Sequence, residues 1–180
     1  VIRVEDRNFD YLKETVRKIF KVFKNTQNML SQKYDKIETF LPEEVTFITS
    51  QELENMYQKL TPEERENEFS KEKGAIFIMQ IGKILNSGKR HDKRAPDYDD
   101  WDLNGDLIMW NPVLERSLEL SSMGIRVDKD SLNKQLTELG LEERKKLEYH
   151  KLLLSGELPL TIGGGIGQSR ICMFLLQKAH

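Results

Sequence analysis

Residues Thr161-Ile-Gly-Gly-Gly-Ile-Gly-Gln-Ser-Arg170 run directly into the apolar stretch Ile171-Cys-Met-Phe-Leu-Leu176. A strand-like segment enters a glycine cluster, and an arginine then opens a helix. Extended backbone must turn into helix here with almost no side chain in the way. Glycine has no Cβ, so a ligand or a second backbone can come close. An arginine held just beyond can lie flat on a base or grip a phosphate. The pattern points to a nucleotide site, yet it is neither of the two commonest glycine motifs. Counted from Gly163 and Gly165, the third glycine of a dinucleotide fingerprint would fall on Gln168, and no Gly-Lys-Ser/Thr is present. A plain strand-to-helix turn with a surface arginine fits the same spacing equally well.

The 180 residues suit one domain or part of a larger one. Apolar residues make up 38% and charged residues 32%, enough for a core beneath a charged surface. Thirty acids against 28 bases leave a net charge of −2, so no global basic excess points to nucleic acid. The single cysteine, Cys172, rules out an internal disulfide; its apolar surroundings predict a packed core thiol, and a reducing, cytoplasmic setting fits. No apolar run has the length of a membrane span, and no signal-peptide pattern is seen. The chain begins at Val1 rather than Met, as expected of part of a longer product.

Hydrophobic spacing predicts a long amphipathic helix from Phe9 to about Tyr34, carried by Phe9, Leu12, Val16, Ile19, Phe20, Phe23 and Leu30. A short strand over Val45–Thr49 follows, then a helix capped by Ser50. Thr61-Pro-Glu-Glu64 is a capping box for a helix ending near Gly74. Ala75–Ile81 is apolar throughout and reads as a central strand. Residues 86–106 show no clear periodicity. Leu107–Trp110 and Val113–Ser122 read as two strands joined at Asn111-Pro112. On the second, Glu115, Ser117, Glu119 and Ser121 share a face, and Gly124–Val127 extends it after a bend at Met123-Gly124. Asp130 is the predicted cap of a helix ending at Gly140. Another helix spans about Glu142 to Leu154 and stops at Gly156, and Leu158–Ile162 is a last strand before the glycines. The expected fold class is α+β, a largely antiparallel mixed sheet flanked by helices.

Three clusters could carry chemistry. Lys89-Arg-His-Asp-Lys-Arg94 precedes Ala95-Pro-Asp-Tyr-Asp-Asp-Trp101, so a basic patch meets an acidic one. Such a loop can bind a zwitterion, and it can also be a solvated charged loop. Leu103-Asn-Gly-Asp106 reads as a turn or, functionally, as Asp106 at the mouth of a strand. Glu119 in mid-strand is costly to desolvate unless paired or metal-bound; an exposed strand face shared with Glu115 is the plainer reading. Asp106 and Glu119 lie on adjacent segments at distances from Asn111-Pro112 that let both meet one Mg²⁺. His91, His150 and His180 share no metal-ligand spacing.

Arg90–Trp101, Leu103–Asp106, Trp110–Glu115, Glu119–Asp128 and Thr161–Arg170 together closely resemble ammonia-dependent asparagine synthetase, the aspartate–ammonia ligase family. Looser likeness in the helix from Phe9, in Ser50–Leu53 and in Lys73–Phe77 extends it over nearly the whole chain. That family is similar in fold to the catalytic domain of class II aminoacyl-tRNA synthetases, and Gly165–Arg170 then looks like the third signature motif of that class. The resemblance implies residues 1–180 to be the C-terminal part of a single such domain, with the N-terminal part that carries the first two motifs absent. A loop the family carries after Trp101 is also absent. As it stands, the chain is expected to hold half an active site and to be inactive alone.

The activity implied is synthesis of L-asparagine from L-aspartate and ammonia through β-aspartyl-AMP, releasing AMP and pyrophosphate. Mg²⁺ is the implied cofactor, ATP a co-substrate, and a homodimer the implied assembly, with no nucleic-acid or membrane partner. By the same resemblance Asp106 and Glu119 sit near phosphate, ribose and metal, and Arg170 against adenine or the outer phosphates. Leu120, Ser121, Gly165 and Gly167 line the nucleotide. Asp99 takes the α-ammonium of aspartate, with Ser122, Gly163 and Gly164 along the aspartate wall. An aspartyl-tRNA synthetase-like domain, which also adenylates aspartate, is the alternative enzyme; it needs a tRNA-binding module that charge and length do not show. A non-catalytic nucleotide-binding paralogue is the third reading, and the joint presence of Asp99, Asp106, Glu119 and Arg170 argues against it.

Overall fold

In the computed structural model, residues 1–179 are described; His180 lies outside them. The elements in chain order are α1 (Phe9–Lys33), β1 (Thr46–Thr49), α2 (Ser50–Met56), α3 (Pro62–Lys73), β2 (Ala75–Met79), β3 (Asp99–Asn111), β4 (Arg116–Arg126), α4 (Lys129–Glu138), α5 (Glu148–Ser155), β5 (Ile162–Ile166) and α6 (Gln168–Leu175), with 3-10 turns at Val4–Asp6 and Glu142–Lys146. The strands lie side by side in the order of the chain. β1 and β2 run parallel and the remaining pairs antiparallel, so the sheet is mixed and largely antiparallel, as expected.

The two sheet faces have different covers. On one, Ala75, Phe77, Met79, Leu107, Met109, Leu120 and Met123 pack against Leu12, Val16, Phe20 and Phe23 of α1 and Phe174 and Leu175 of α6. Buried positions three and four apart put the apolar stripe of α1 on the sheet. On the other face, Ile48, Ile76, Ile78 and Ile108 pack against Leu53 of α2 and Phe69 of α3. Burial on both sides explains why β2 is apolar throughout. α2 covers the β1 side of this second face and α3 crosses β2 to the β3–β4 turn, where the Ser117 amide donates to the Asn67 side chain; the candidate site lies on the rest of it.

Several sequence expectations shift. Thr49, not Ser50, caps α2: Glu52 completes its capping box, and the Ser50 hydroxyl donates to the Gln80 carbonyl instead. Asp128, not Asp130, caps α4, because its carboxylate accepts from the Asp130 and Ser131 amides. The helix expected from Glu142 is a 3-10 turn followed by the separate α5, which stops at Gly156 in left-handed conformation. Cys172 is exposed rather than packed in the core, since α6 buries only Phe174 and Leu175. The last strand is the glycine cluster itself, not the stretch before it.

Candidate functional site

β3 begins at Asp99, well before the Leu107 start expected. Alternation is hidden there because nearly every residue is buried, and the polar ones are buried with partners. Asn104 accepts from the Ile81 amide at 2.9 Å and donates to the Ile81 carbonyl at 2.8 Å. Asn104-Gly105-Asp106 is therefore mid-strand and not a turn. Gly105 is a packing requirement: a Cβ there would meet the Phe77 ring at 2.6 Å.

Register decides which side chains meet. Asp106 pairs with Ser122, Leu107 with Ser121 and Ile108 with Glu119, so Leu120 is an extra residue in β4. This bulge sits at Leu120, not at the bend expected at Met123-Gly124. It reverses the alternation, because directly paired residues point to the same face. Glu119 and Ser122 join Asp106 on the open face. Ser121, expected beside Glu119, falls on the core side with Leu107. The Ser121 hydroxyl donates to the Gly165 carbonyl at 2.9 Å, and Leu120 is buried in the core. Neither side chain reaches the open face.

Asp106 is buried, and one of its oxygens pairs with Arg94. The other, Oδ1, makes no hydrogen bond of good geometry, though the Ser122 hydroxyl opposite is near enough to favour the ionised form. Burial, only partly offset by the Arg94 cation and reinforced by the nearby Glu119 carboxylate, pushes its pKa up to about 6. Two carboxylates with a spare buried oxygen are a natural cation site. Among the described residues no group of three or more Asp, Glu, His or Cys gathers round a metal. A two-carboxylate site fits Mg²⁺, which takes one or two protein carboxylates and completes its shell with water and phosphate.

Glu119 is half-exposed and lies 3.4 Å from the Arg170 guanidinium, which also donates to the Glu119 carbonyl at 3.1 Å. β5 supplies the wall beside them, pairing Gly165 with Ser122, Gly164 with Met123 and Gly163 with Gly124. The three glycines differ. A Cβ on Gly164 would meet Met123 Cβ at 2.6 Å, so Gly164 is small for the core side. A Cβ on Gly163 would meet the Arg126 guanidinium at 2.5 Å, and one on Gly165 would meet nothing within 4 Å. Gly165 thus leaves open space, and Gly163 makes room for an arginine.

That arginine was not singled out by sequence. Arg126, at the end of β4, pairs with the buried Asp99 and stacks on the Tyr98 ring at 3.8 Å from its centroid. Burial raises the Asp99 pKa despite the Arg126 cation. Arg94, in sequence one of a basic cluster, likewise reaches back to Asp106 from a loop. The loop is pinned by His91 against Glu66 at 2.9 Å and by Asp97 against His150 at 3.1 Å. Both arginines required the tertiary pairing to be visible.

A family model described as aspartate-ammonia ligase matches residues 1–180. An aspartate–ammonia ligase of Clostridium tetani is 60% identical over all of this chain and 53% of its own length. That of Fusobacterium nucleatum is 59% identical over all of this chain and 55% of its own. The chain spans about half the length of the curated relatives it matches. Among solved structures, an aspartyl-tRNA synthetase of Entamoeba histolytica superposes with TM-score 0.62 at 16% identity, covering 98% of this chain and 39% of that one. The asparaginyl-tRNA synthetase of the same organism, in complex with asparaginyl-adenylate, gives 0.59 at 19% identity over 99% and 42%. At these identities the likeness establishes the synthetase-like fold alone.

Proposed function

Because the chain belongs to the aspartate–ammonia ligase family, we propose that it serves in the ATP-dependent amidation of L-aspartate by ammonia. The observation that carries this reading is the convergence on one open sheet face of a buried aspartate with a spare oxygen, a second carboxylate and an exposed arginine. The first step joins an aspartate β-carboxylate oxygen to the α-phosphorus and breaks the bond to pyrophosphate. In the second, ammonia attacks the acyl carbon, AMP leaves with the bonding pair, and the nitrogen loses one proton to solvent. Two anions must approach each other in the first step, so catalysis rests on positioning and on fixed countercharge.

Asp106 and Glu119 would hold Mg²⁺, which neutralises phosphate charge when bound. Arg170 would lie against adenine or the outer phosphates, and Arg94 is the fixed cation nearest Asp106. Gly165 would leave the nucleotide room beside β5, and Gly167 gives its room to the stem of Arg170. The Asp99–Arg126 pair suits a zwitterion, its carboxylate taking the α-ammonium and its guanidinium the α-carboxylate. Ser122, Gly163 and Gly164 supply the wall between the two ligands, Gly164 through backbone only. The Leu120 and Ser121 contributions are likewise backbone. Mixing the full-length protein with ATP, L-aspartate and ammonium should yield asparagine, AMP and pyrophosphate in equal amounts. Production of ADP, or ATP turnover indifferent to aspartate, would sink the proposal.

A further inference from the structure

The spacing of Asp99 and Arg126 rests on little backbone: their own pairing and the Val127 amide on the Tyr98 carbonyl at 3.0 Å stand apart from the regular register of the sheet. Asp99 pairs with Arg126, but the next ladder pair is Asn104 with Gly124, so β3 carries an irregular excess at this end. Its amides there go elsewhere: Trp101 donates to the Gln135 side chain at 2.8 Å and Asp102 to the Asp100 side chain at 2.9 Å. The Arg126 amide turns away to the Thr161 carbonyl at 2.8 Å. A ladder that slips in this way leaves the two strand ends held by few backbone bonds.

One side chain from far away in sequence spans the gap. Arg7 follows the Val4–Asp6 turn, and its side chain is only 15% exposed. Its Nη2 meets Asp100 Oδ2 at 2.5 Å, the Arg126 carbonyl at 3.5 Å and the Ser131 hydroxyl at 3.1 Å. Its Nε lies 3.0 Å from Asp128 Oδ2, an ion-pair contact rather than a directed hydrogen bond. Arg7 therefore grips the residue after Asp99 on one strand, and Arg126 itself with the cap of α4 on the other. The segment that presents it is anchored by the Ile2 amide on the Leu160 carbonyl at 2.9 Å, and by Ile2 packing on Leu103 and Ile125.

We propose that Arg7 is a positioning residue for the amino-acid substrate: it holds the strand ends bearing Asp99 and Arg126 at the separation that fits the ammonium and carboxylate of aspartate. The substrate named rests on the proposed function; the clamp rests on geometry alone. Through Nη2 and Nε the guanidinium meets four oxygens on β3, β4 and the start of α4, whereas a lysine ammonium presents its donors from a single point on a flexible stem. Arg7→Gln in the full-length protein is expected to raise the aspartate KM about tenfold or more while the ATP KM stays within about twofold, since displacement of a distant support is felt only by the ligand it positions. Arg7→Lys should fall between. Parallel loss for both substrates, or no change in either, overturns the positioning role.

Amide exchange supplies a readout independent of turnover and usable with Arg7→Lys even if Arg7→Gln folds poorly. The Val127 amide, bonded to the Tyr98 carbonyl at 3.0 Å, spans the clamped ends. Its exchange should accelerate about tenfold while Met123, in mid-strand, is unchanged. Unaltered exchange at Val127 overturns the clamp. A wild-type protein that makes no asparagine overturns the function and the substrate named here, and exchange then still decides whether Arg7 spaces the strand ends.

Discussion

Asp99 and Asp106 lie on the same strand, are both buried, and both face an arginine, yet their surroundings differ. At Asp99 the charge closes on itself: Arg126 is its partner, and Tyr98 covers the guanidinium. At Asp106 an acceptor is left over: Arg94 takes one oxygen, the other has no hydrogen bond of good geometry, and the Glu119 carboxylate lies near, itself held only by the exposed Arg170. A closed pair offers one plus and one minus, which complements a ligand head of the same kind. An unclosed acidic pair is complemented by a cation, and the opposing Arg170 and Arg94 by phosphate oxygens. On the proposed function, one strand would carry a receptor for a zwitterion at one end and a seat for a metal–polyphosphate in its middle.

The sharpest break of this contrast is to neutralise the acidic pair. Asp106→Asn or Glu119→Gln should each cost on the order of 10²-fold or more in rate in the full-length protein, the usual loss when a fixed transition-state charge is removed. The loss should accompany weakened Mg²⁺–ATP dependence and leave the aspartate KM nearly unchanged. Near-normal turnover in both variants would take them out of the mechanism and reduce the leftover acceptor to a packing accident.

The same leftover acceptor has a cost in stability, and its sign can be worked out. The Asp106 pKa rises from 3.8 to about 6 on folding, so the folded chain holds this proton more tightly. Below about pH 4 both states are protonated and the group contributes no penalty. As pH rises to about 6 the unfolded state ionises first, stability falls, and the full penalty persists above that. Asp106→Asn mimics the protonated form and should therefore stabilise the protein at neutral pH by up to about 3 kcal/mol, with the gain vanishing near pH 4. Urea titrations of both proteins across that range measure it; a variant less stable than wild type at pH 7.5 would show that Asp106 is satisfied after all.

These two regions also differ in how much of them could be read without coordinates. α1, α3 and β2 follow from periodicity, a capping box and an unbroken apolar run, because those signals are local. Asp99, Asp106, Glu119 and Arg170 were singled out through residue type and family resemblance. Their arrangement was not legible, since it turns on one extra residue: the bulge at Leu120 exchanges Ser121 for Ser122 on the open face. Strict alternation from Glu115 could not anticipate that. Nor could spacing find Arg126, Arg94 or Arg7, whose partners lie on other elements. Gly105 read as a turn for the same reason, its true constraint being the Phe77 ring on the neighbouring strand.

Opening the closed pair gives the next effect in size. Asp99→Asn should weaken aspartate by about 1.5–3 kcal/mol, the typical worth of a charged hydrogen bond, and leave ATP affinity nearly unchanged. Extra Mg²⁺ should not relieve the defect. If it does, or if ATP binding is what suffers, Asp99 belongs with the metal and the two ends of the strand are not distinct sites.

Arg170 should give the smallest effect. Its side chain is 52% exposed, and among the described residues its polar contacts are with Glu119, the carbonyl at 3.1 Å and the carboxylate at 3.4 Å. A surface ion pair of this kind contributes little to stability, so the melting temperature of Arg170→Lys should match wild type. What lysine cannot supply is the planar fork that stacks on a base or spans two phosphate oxygens. The charge survives, so the ATP requirement should rise only about three- to tenfold, below the effect of removing a buried carboxylate. Arg170→Ala loses charge and plane together and should bind ATP more weakly still. Calorimetry with ATP and Mg²⁺ separates the cases. An unchanged affinity in Arg170→Ala would make this arginine the surface residue of an ordinary strand-to-helix turn, leaving Arg94 as the cation facing the acidic pair. A graded loss from wild type through lysine to alanine, with aspartate binding untouched, would place Arg170 on the polyphosphate side of the strand and keep the two regions apart.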